Sequence, residues 1–585
     1  MIQQVTQAET SSIADESQDA VVVSTGFDPV RKVNRPVEGR LTEKSIALLQ
    51  NCVRGLKTGG LLFVYGLPRE LPIWGQHLLA KRRAQHEMIF KHWIALDTKE
   101  PAQDDLLPST HLGLLLFYKS KSWKRMPTRF WVATDPVRSP HAFCKACGLN
   151  LKDWGGKKHL MNPRGIAISD VWRDLARRHI RNNILPEDVL QRIELLCSGS
   201  DKSVTHVVQK GRGVEDEVLD LEIRSAVANR TEPSAGNTWR ELIWLEEDHV
   251  YAGDSVSFLQ RLKLLRPEGS FDLAFADPPY NLEKKYDNYE DALSDQKYLE
   301  WCEAWLEGMA ENLKPGGSLF VLNLPKWAMH HATFLSGKLQ FRHWIAWDAL
   351  SDPRGKIMPA HYALLWFTKP DGKPVCNYSP DGTKARKGFA LPPDSPKYCL
   401  RASCIKKRKA AGDDEKVELT DVWFDIHRIK HKRDRDAHPC QLPEKLMERI
   451  IKLASKPGDL IFDPFCGAGT TAIAAFKLGR KFVVTELDPN YVRITNEKLA
   501  AMKQNAGTNG NLTVPRNSIK RPRAAGSKKE IEVYLQNLAR KLSRVPTEND
   551  VQSDRPEVLG LIDQTYPTRS AAFKRCKVAL ASSAS

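Results

Sequence analysis

Two short stretches hold the residues whose types and spacing could do chemistry. The first is Asp277-Pro278-Pro279-Tyr280, which ends the run FDLAFADPPY. Phe271 to Ala276 reads as an apolar strand, and two consecutive prolines forbid further ladder hydrogen bonds and stiffen the exit. A carboxylate, a carbonyl and an aromatic ring would then stand on a rigid loop at a strand's carboxyl end, where open α/β sheets place their ligands. Such a loop can hold a polar group by hydrogen bonds alone, without a metal. An ordinary strand followed by a Pro-Pro turn has the same four letters, so the tetrapeptide does not decide by itself.

The second stretch is IFDPFCGAGTT, Ile461 to Thr471. An apolar strand runs into Asp463 and a glycine loop, and a second strand, FVVTE, ends in Glu486. Gly467 and Gly469 permit a tight turn and close backbone approach, and Phe465 stands in the same turn; a carboxylate at the end of the next strand can hold ribose hydroxyls. This is the pattern of a nucleoside-cofactor site. The loop lacks the Gly-Lys-Ser/Thr ending of a phosphate cradle, so S-adenosylmethionine fits it better than ATP. No strand pattern follows Glu486, so the next sheet position must come from HVYAG upstream, which runs into Asp254. That residue could reach the cofactor's adenine or cap the helix SVSFLQRLKLL, and the two roles are compatible.

The elements that must carry these loops form an α/β chain. With DPPY upstream and DPFCGAGTT downstream, the sequence resembles the N-4/N-6 amino-group DNA methyltransferase family, in the motif order of its circularly permuted beta group. The resemblance covers roughly 239 to 502. It implies a Rossmann-like S-adenosylmethionine-dependent fold and double-stranded DNA as partner. It also implies that Asp277 and the Pro278 carbonyl accept the hydrogens of an exocyclic amine, that Pro279 stiffens the loop, and that Tyr280 stacks on an extruded base. Asp463, Phe465, Gly467, Gly469 and Glu486 would hold the cofactor. His438 to Pro443, HPCQLP, departs from the commoner HPTQKP of the family.

A chain of 585 residues is several domains' worth, and 88 Lys+Arg against 71 Asp+Glu give a net charge of +17, which favours a polyanionic partner. No stretch has the apolar length of a membrane span, and the start of the chain is polar and acidic, so a cytosolic, DNA-associated protein is expected. The 11 cysteines are scattered, an odd number that suits reduced thiols.

The chain also repeats itself. LKTGGLLFVYGLP, Leu56 to Pro68, answers LKPGGSLFVLNLP, Leu313 to Pro325; His92 to Ala95 answers His343 to Ala346, and Asp170 to Trp172 answers Asp421 to Trp423. Such collinearity argues for a duplicated unit whose first copy has decayed. Asp19 to Phe27 keeps the strand but reads STGF in place of DPPY, His206 stands for Asp463, and QKGRGV from Gln209 replaces CGAGTT. The expected organisation is a disordered leader (1–18), a degenerate methyltransferase-like domain (19–200), a linker (201–238) and a catalytic domain (239–503). The catalytic domain carries a target-recognition insert at about 351–437, and a basic linker (504–526) leads to a small helical module (527–585). The last resembles a helical repeat associated with homing endonucleases, and packing or dimerisation serves equally well.

The insert is basic, with Lys406 to Lys409 and Arg428 to Arg435, and phosphate contacts are the expected role beside a base-modifying site. Each copy places a cysteine pair ahead of its Asp-Val-Trp, Cys144 with Cys147 and Cys399 with Cys404. Four thiolates could hold zinc, but nothing in the sequence brings the pairs together, and no metal is expected at the reaction centre. The reading is a DNA methyltransferase acting on the N6 amine of adenine, with the first copy as an intramolecular pseudo-dimer partner. N4-cytosine methylation uses the same geometry, and Asp rather than Ser before Pro-Pro-Tyr favours adenine. A non-catalytic DNA-binding protein is the reading from another class. Neither the target sequence nor a cognate restriction nuclease is legible.

Overall fold

Phe271–Ala276 is buried at every position but Asp272, as a strand covered by helices on both faces must be. In the computed structural model it lies inside an eight-stranded sheet. The structure describes residues 2–27, 39–80, 87–102, 106–120, 137–149 except 142, 162–175, 183–197, 203–216, 242–282 except 243, 292–349, 357–378, 389, 399, 401–412, 418–429, 441–509, 528–542, 544–554, 558, 559, 562 and 573.

The order of this sheet is His249–Ala252, Lys481–Glu486, Leu460–Asp463, Phe271–Ala276, Leu313–Asn323, His361–Thr368, Gln340–Asp348 and Val422–Trp423. The first five strands are parallel, and His361–Thr368 runs against both of its neighbours. From Phe271–Ala276 the chain crosses through the helix Asp295–Asn312 to one side. From Leu460–Asp463 it crosses through Thr470–Lys477 to the other side. These two strands are hydrogen-bonded neighbours, with Leu273 beside Ile461. The direction of winding therefore switches between them, and at a switch point the two carboxyl-end loops splay apart and leave a crevice.

A seven-stranded sheet repeats this plan. Its order is Ile2–Thr6, Val204–Val208, Gln18–Ser24, Leu56–Gly66, Ser109–Ser120, Glu87–Ala102 and Val171–Trp172. Ala20 sits beside Val204 as Leu273 sits beside Ile461. One position is missing: among the described residues nothing answers Lys481–Glu486, and Ile2–Thr6 pairs directly with Val204–Val208.

Four boundaries differ from the sequence expectation. The insert expected at about 351–437 contributes the inner strand His361–Thr368 and the edge strand Val422–Trp423 to the main sheet, and the helix Pro489–Asn509 runs on into the linker expected from 504. The other two lie in the first half. The leader is not disordered, since Ile2–Thr6 is an edge strand and Gln7–Ser12 a short 3-10 helix. The linker does not begin at 201, because Val204–Val208 is an inner strand and Val214–Asp216 pairs with Gly39–Leu41. The physical reason is the same in both places. A five-residue strand with two glutamines has no alternation long enough to be read alone, and it forms because Val204–Val208 offers it an open ladder.

The two sheets share one apolar core, running from Val21 and Trp93 through Trp344 to Val483. Their contact is reciprocal. Trp93 stacks on Trp344 at 3.7 Å between ring centroids. Asp170 Oδ1 accepts from the backbone N–H of Ala360 and His361 at 2.7 and 2.9 Å, and Asp421 Oδ1 accepts from Thr110 and His111 at 2.7 and 3.2 Å. Asp170 and Asp421 thus make matching contacts, each to backbone N–H groups beside the opposite sheet. His361 is neutral here, its pKa pushed down to about 4, chiefly by burial. Its Nε2 accepts from Trp344 Nε1 at 3.1 Å and its Nδ1 faces the Trp93 carbonyl at 3.0 Å.

The chain divides into two compact units, Met1–Asp434 with Cys440–Asn496, and Arg435–Pro439 with Glu497–Ser585. In the second unit the helices Lys528–Leu542 and Glu548–Asp554 close their own core of Ile531, Leu535, Leu538 and Val551. Among the described residues no helix is long and apolar enough to cross a membrane.

Candidate active site

The Asp277 to Tyr280 loop leaves its strand at the switch point and is braced on every side. Tyr298, buried on the helix Asp295–Asn312, donates its hydroxyl to the Pro279 carbonyl at 2.6 Å, and Trp327 Nε1 donates to the Tyr280 carbonyl at 3.0 Å. Asn323 Nδ2 in turn donates to the Tyr298 hydroxyl at 3.2 Å. Asn281 ends the loop in a left-handed conformation, φ 55°, with its amide clamped to both backbone groups of Leu293 at 2.8 Å. Within the loop the Tyr280 hydroxyl donates to Asp277 Oδ1, which sets the rotation of the carboxylate. The Tyr280 ring lies near Tyr362, 5.8 Å between centroids.

The glycine loop stands on the adjacent strand. Asp463 is buried and accepts from the Phe465 N–H at 2.9 Å and from the Thr471 hydroxyl. Burial pushes its pKa up to about 7, against the pull of those two donors and with the help of the Glu486 charge. Glu486 receives the Gly467 N–H on Oε2 at 2.8 Å and the Asp488 N–H on Oε1 at 2.9 Å, and burial raises its pKa too. Gly469 has φ 84°, and a Cβ there would lie 2.5 Å from Thr495 Cγ2, so the turn has no room for a side chain. Phe465 turns its ring against Trp301 and Trp305, at 5.5 and 5.3 Å.

Asp254 caps the helix Ser255–Leu265, accepting from both the N–H and the hydroxyl of Ser257 at 2.8 Å. Its strand, His249–Ala252, lies beside Lys481–Glu486, with Ala252 opposite Glu486. Asp254, Glu486 and Asp463 therefore follow three neighbouring strands, and Asp277 follows the fourth. Tyr298, Trp327, Asn323, Thr471 and Thr495 were not singled out from sequence. The one signal for them is a run of aromatic and amide residues on elements flanking the motifs.

In the first half the same places are closed. Ser24 stands where the second half has Asp277 and His206 where it has Asp463, and they bond directly, Oγ to Nε2 at 2.8 Å. Gln209 fills the gap, accepting from the Gly26 N–H at 3.2 Å and donating to Ser45 Oγ at 2.7 Å. A Cβ on Gly26 would fall 1.4 Å from the Gly211 carbonyl oxygen, so the two loops press on each other. Beside them lies a cleft of about 400 Å³ whose charged lining is Arg69, Lys210, Arg212 and Glu70, the last two paired at 3.8 Å.

Of the basic insert, the helix Ala402–Ala410 is described; Lys406, Lys407 and Lys409 are exposed, but Arg408 is buried. His438 to Cys440, Arg435 and the basic linker from 510 lie outside the described residues. The four candidate thiols, one pair from each half, do come together, with every Sγ within 4.8 Å of the others.

An open sheet with a glycine turn and three acidic strand ends at its switch point defines a Rossmann-like protein that takes a nucleoside cofactor. A family model described as DNA methylase matches residues 271–497. The type II methyltransferase M.BamHI of Bacillus amyloliquefaciens is 32% identical over 322 residues, 52% of this chain and 72% of that protein. The type II methyltransferase M.HpaI of Haemophilus parainfluenzae is 30% identical over 258 residues, 43% of this chain and 74% of that protein. Among solved structures, the cytosine-N4-specific PvuII DNA methyltransferase aligns at TM-score 0.30 and 21% identity, over 42% of this chain and 84% of that one. The chain belongs to the N4/N6 DNA methylase family, whose members draw their methyl group from S-adenosylmethionine.

Proposed function

We propose that the chain is a site-specific DNA methyltransferase that modifies the N6 amine of adenine, built from a duplicated, circularly permuted unit whose first copy is a non-catalytic partner. The carrying observation is that Asp277 and the carboxylates Asp463 and Glu486 leave adjacent parallel strands at one switch point. S-adenosylmethionine supplies an electrophilic methyl group when bound. The residues at the glycine loop suit it: the turn is closed to side chains at Gly469, and Glu486, already holding the Gly467 N–H, can take ribose hydroxyls. Asp463 and Phe465 shape the turn, and Asp254 faces the edge where the adenine would lie.

An exocyclic amine shares its lone pair with the ring and is a weak nucleophile. Asp277 and the Pro278 carbonyl would accept its two hydrogens, so that the nitrogen rehybridises with its lone pair turned toward the methyl group; this is catalysis by positioning and electrostatics. Tyr280 and Pro279 would pack on the extruded base, whose unstacking costs a few kcal/mol that such packing offsets. Asp rather than Ser at position 277 favours adenine over cytosine. The reciprocal contacts of Asp170 and Asp421, and the stacked pair Trp93 and Trp344, support an intramolecular pseudo-dimer. On this reading 2–216 forms the non-catalytic half, 239–503 carries the reaction, and the basic helix Ala402–Ala410, between the sheet strands His361–Thr368 and Val422–Trp423, contacts the target. Mapping modified bases in DNA from cells expressing the chain tests the reading. N6-methyladenine at one sequence is expected, N4-methylcytosine would move the substrate to cytosine, and unmodified DNA would leave a binding protein.

A further inference from the structure

We propose that Cys144, Cys147, Cys399 and Cys404 hold a structural zinc ion that cross-links the two halves and anchors the basic helix Ala402–Ala410. The distances are those of a metal site and not of a disulfide. Zinc takes four thiolates tetrahedrally at about 2.3 Å, which sets neighbouring sulfurs about 3.8 Å apart. Cys147 Sγ and Cys399 Sγ are 3.8 Å apart, and all four sulfurs lie within 4.8 Å of one another. A disulfide would need about 2.05 Å.

The surroundings separate these thiols from ordinary core cysteines. Cys52 and Cys302 sit inside the large aliphatic core, whereas Cys144, Cys399 and Cys404 are buried against one another and Ala146. Cys144 and Cys147 flank a tight turn in which the Gly148 N–H donates to the Cys144 carbonyl at 2.8 Å and the Cys144 N–H to the Leu149 carbonyl at 2.7 Å. The turn thus brings the backbone N–H groups that follow Cys144 close beneath the thiols. Such donors spread the charge of a metal-bound thiolate. Cys404 lies in the first turn of Ala402–Ala410, so that this helix carries one of the four thiols.

Four thiolates and one zinc carry a net charge of about −2. Arg408 is buried one helical turn beyond Cys404 on the same face of the helix. The metal would join Cys144 and Cys147 of the first half to Cys399 and Cys404 of the second, and would hold Lys406, Lys407 and Lys409 in a fixed direction. The chemistry is structural, since the site has four protein ligands and no open position.

The test is metal analysis of the full chain purified under reducing conditions from zinc-supplied cells. About one zinc per chain is expected, released in step with modification of the four thiols by a mercurial reagent. Refolding with cobalt in place of zinc should give the intense visible bands of a tetrahedral tetrathiolate centre. Cys399→Ser/Cys404→Ser should lose the metal, while Cys302→Ser keeps it. A metal-free chain, an iron-loaded chain, a Cys147–Cys399 disulfide in its peptide map, or wild-type zinc content in the double variant would each overturn the proposal. If the double variant does not fold, the wild-type zinc content and cobalt spectrum decide.

Discussion

The two sheets follow one strand order except at a single position, for which the first has no counterpart among the described residues, and their matched strand ends are satisfied in different ways. At the matched register, Ser24 and His206 share a hydrogen bond, while Asp277 and Asp463 stand apart on separate braced loops. The difference lies in how each pair is satisfied. A serine and a neutral histidine satisfy each other and need nothing from outside. Asp277 and Asp463 do not bond each other; each is held by donors from its own loop. Among the described residues the first sheet has no counterpart of Lys481–Glu486 and its terminal carboxylate, and the edge strand Ile2–Thr6 occupies that place. What survives in the first half is the face that meets the second: Trp93, Asp170 and His111.

The contrast can be broken most sharply at the two loop residues themselves. Asp277→Ala should lower methyl transfer roughly 10²-fold or more, the scale of losing one well-placed electrostatic group, with cofactor affinity unchanged. Ser24→Ala should leave turnover at the wild-type rate. Single-turnover kinetics with labelled cofactor reads both, and an active Asp277→Ala chain would refute the assignment. Next in size is the shared face. Trp344→Ala should destabilise the joined halves by about 3–5 kcal/mol, and residues 237–585 expressed alone should be poorly folded and weakly active. A soluble, monomeric and fully active fragment would show that the first half is not a required partner.

Smaller effects separate the cofactor and DNA surfaces. Gly469→Val should weaken cofactor binding before anything else, by tenfold or more, since its side chain meets Thr495 and forces a left-handed backbone. Equal dissociation constants by calorimetry would contradict this. Replacing Lys406, Lys407 and Lys409 with Gln should reduce the salt dependence of DNA binding by about 0.9 in the log–log slope for each phosphate these lysines neutralise. An unchanged slope would make that helix a merely solvated surface.

Features of short range were legible in the sequence. Strand, turn and helix of each glycine and proline loop lie within a dozen residues, and their apolar runs and breakers fix them locally. The similar strand orders of the two sheets run through segments that are also similar in sequence, such as Leu56–Gly66 and Leu313–Asn323. Features made by distant pairing were not. Ile2–Thr6 becomes a strand only because Val204–Val208 is present, and Tyr298 braces Pro279 only once its helix packs on the loop. The cysteine pairs meet only because segments of the two halves come together. None of these follows from spacing along the chain.

The finest probe of the comparison is pH, because the matched residues Asp463 and His206 respond to it in opposite ways. Burial holds Asp463 at about 7 against 3.8 for an unperturbed carboxyl, so between those values the folded chain keeps a proton that the unfolded chain has lost. Its contribution to stability is full below pH 3.8 and is lost as pH rises through about 7. Burial holds His206 at about 4 against 6.5, the nearby Glu187 charge opposing it, so the unfolded chain holds the extra proton between those values. That contribution runs the other way, full above pH 6.5 and lost as pH falls through about 4. From about 4 to 6.5 the two slopes, each at most about 1.4 kcal/mol per pH unit, oppose each other in the wild-type chain. Asp463→Asn keeps the carbonyl for the Phe465 N–H and removes one slope, so cofactor-free stability should rise with pH relative to wild type across that window. His206→Gln removes the other, and stability should fall. Denaturant midpoints at half-unit steps of pH measure both differences. Lines parallel to wild type for both variants would mean that neither half buries its strand-end group as the structure has it.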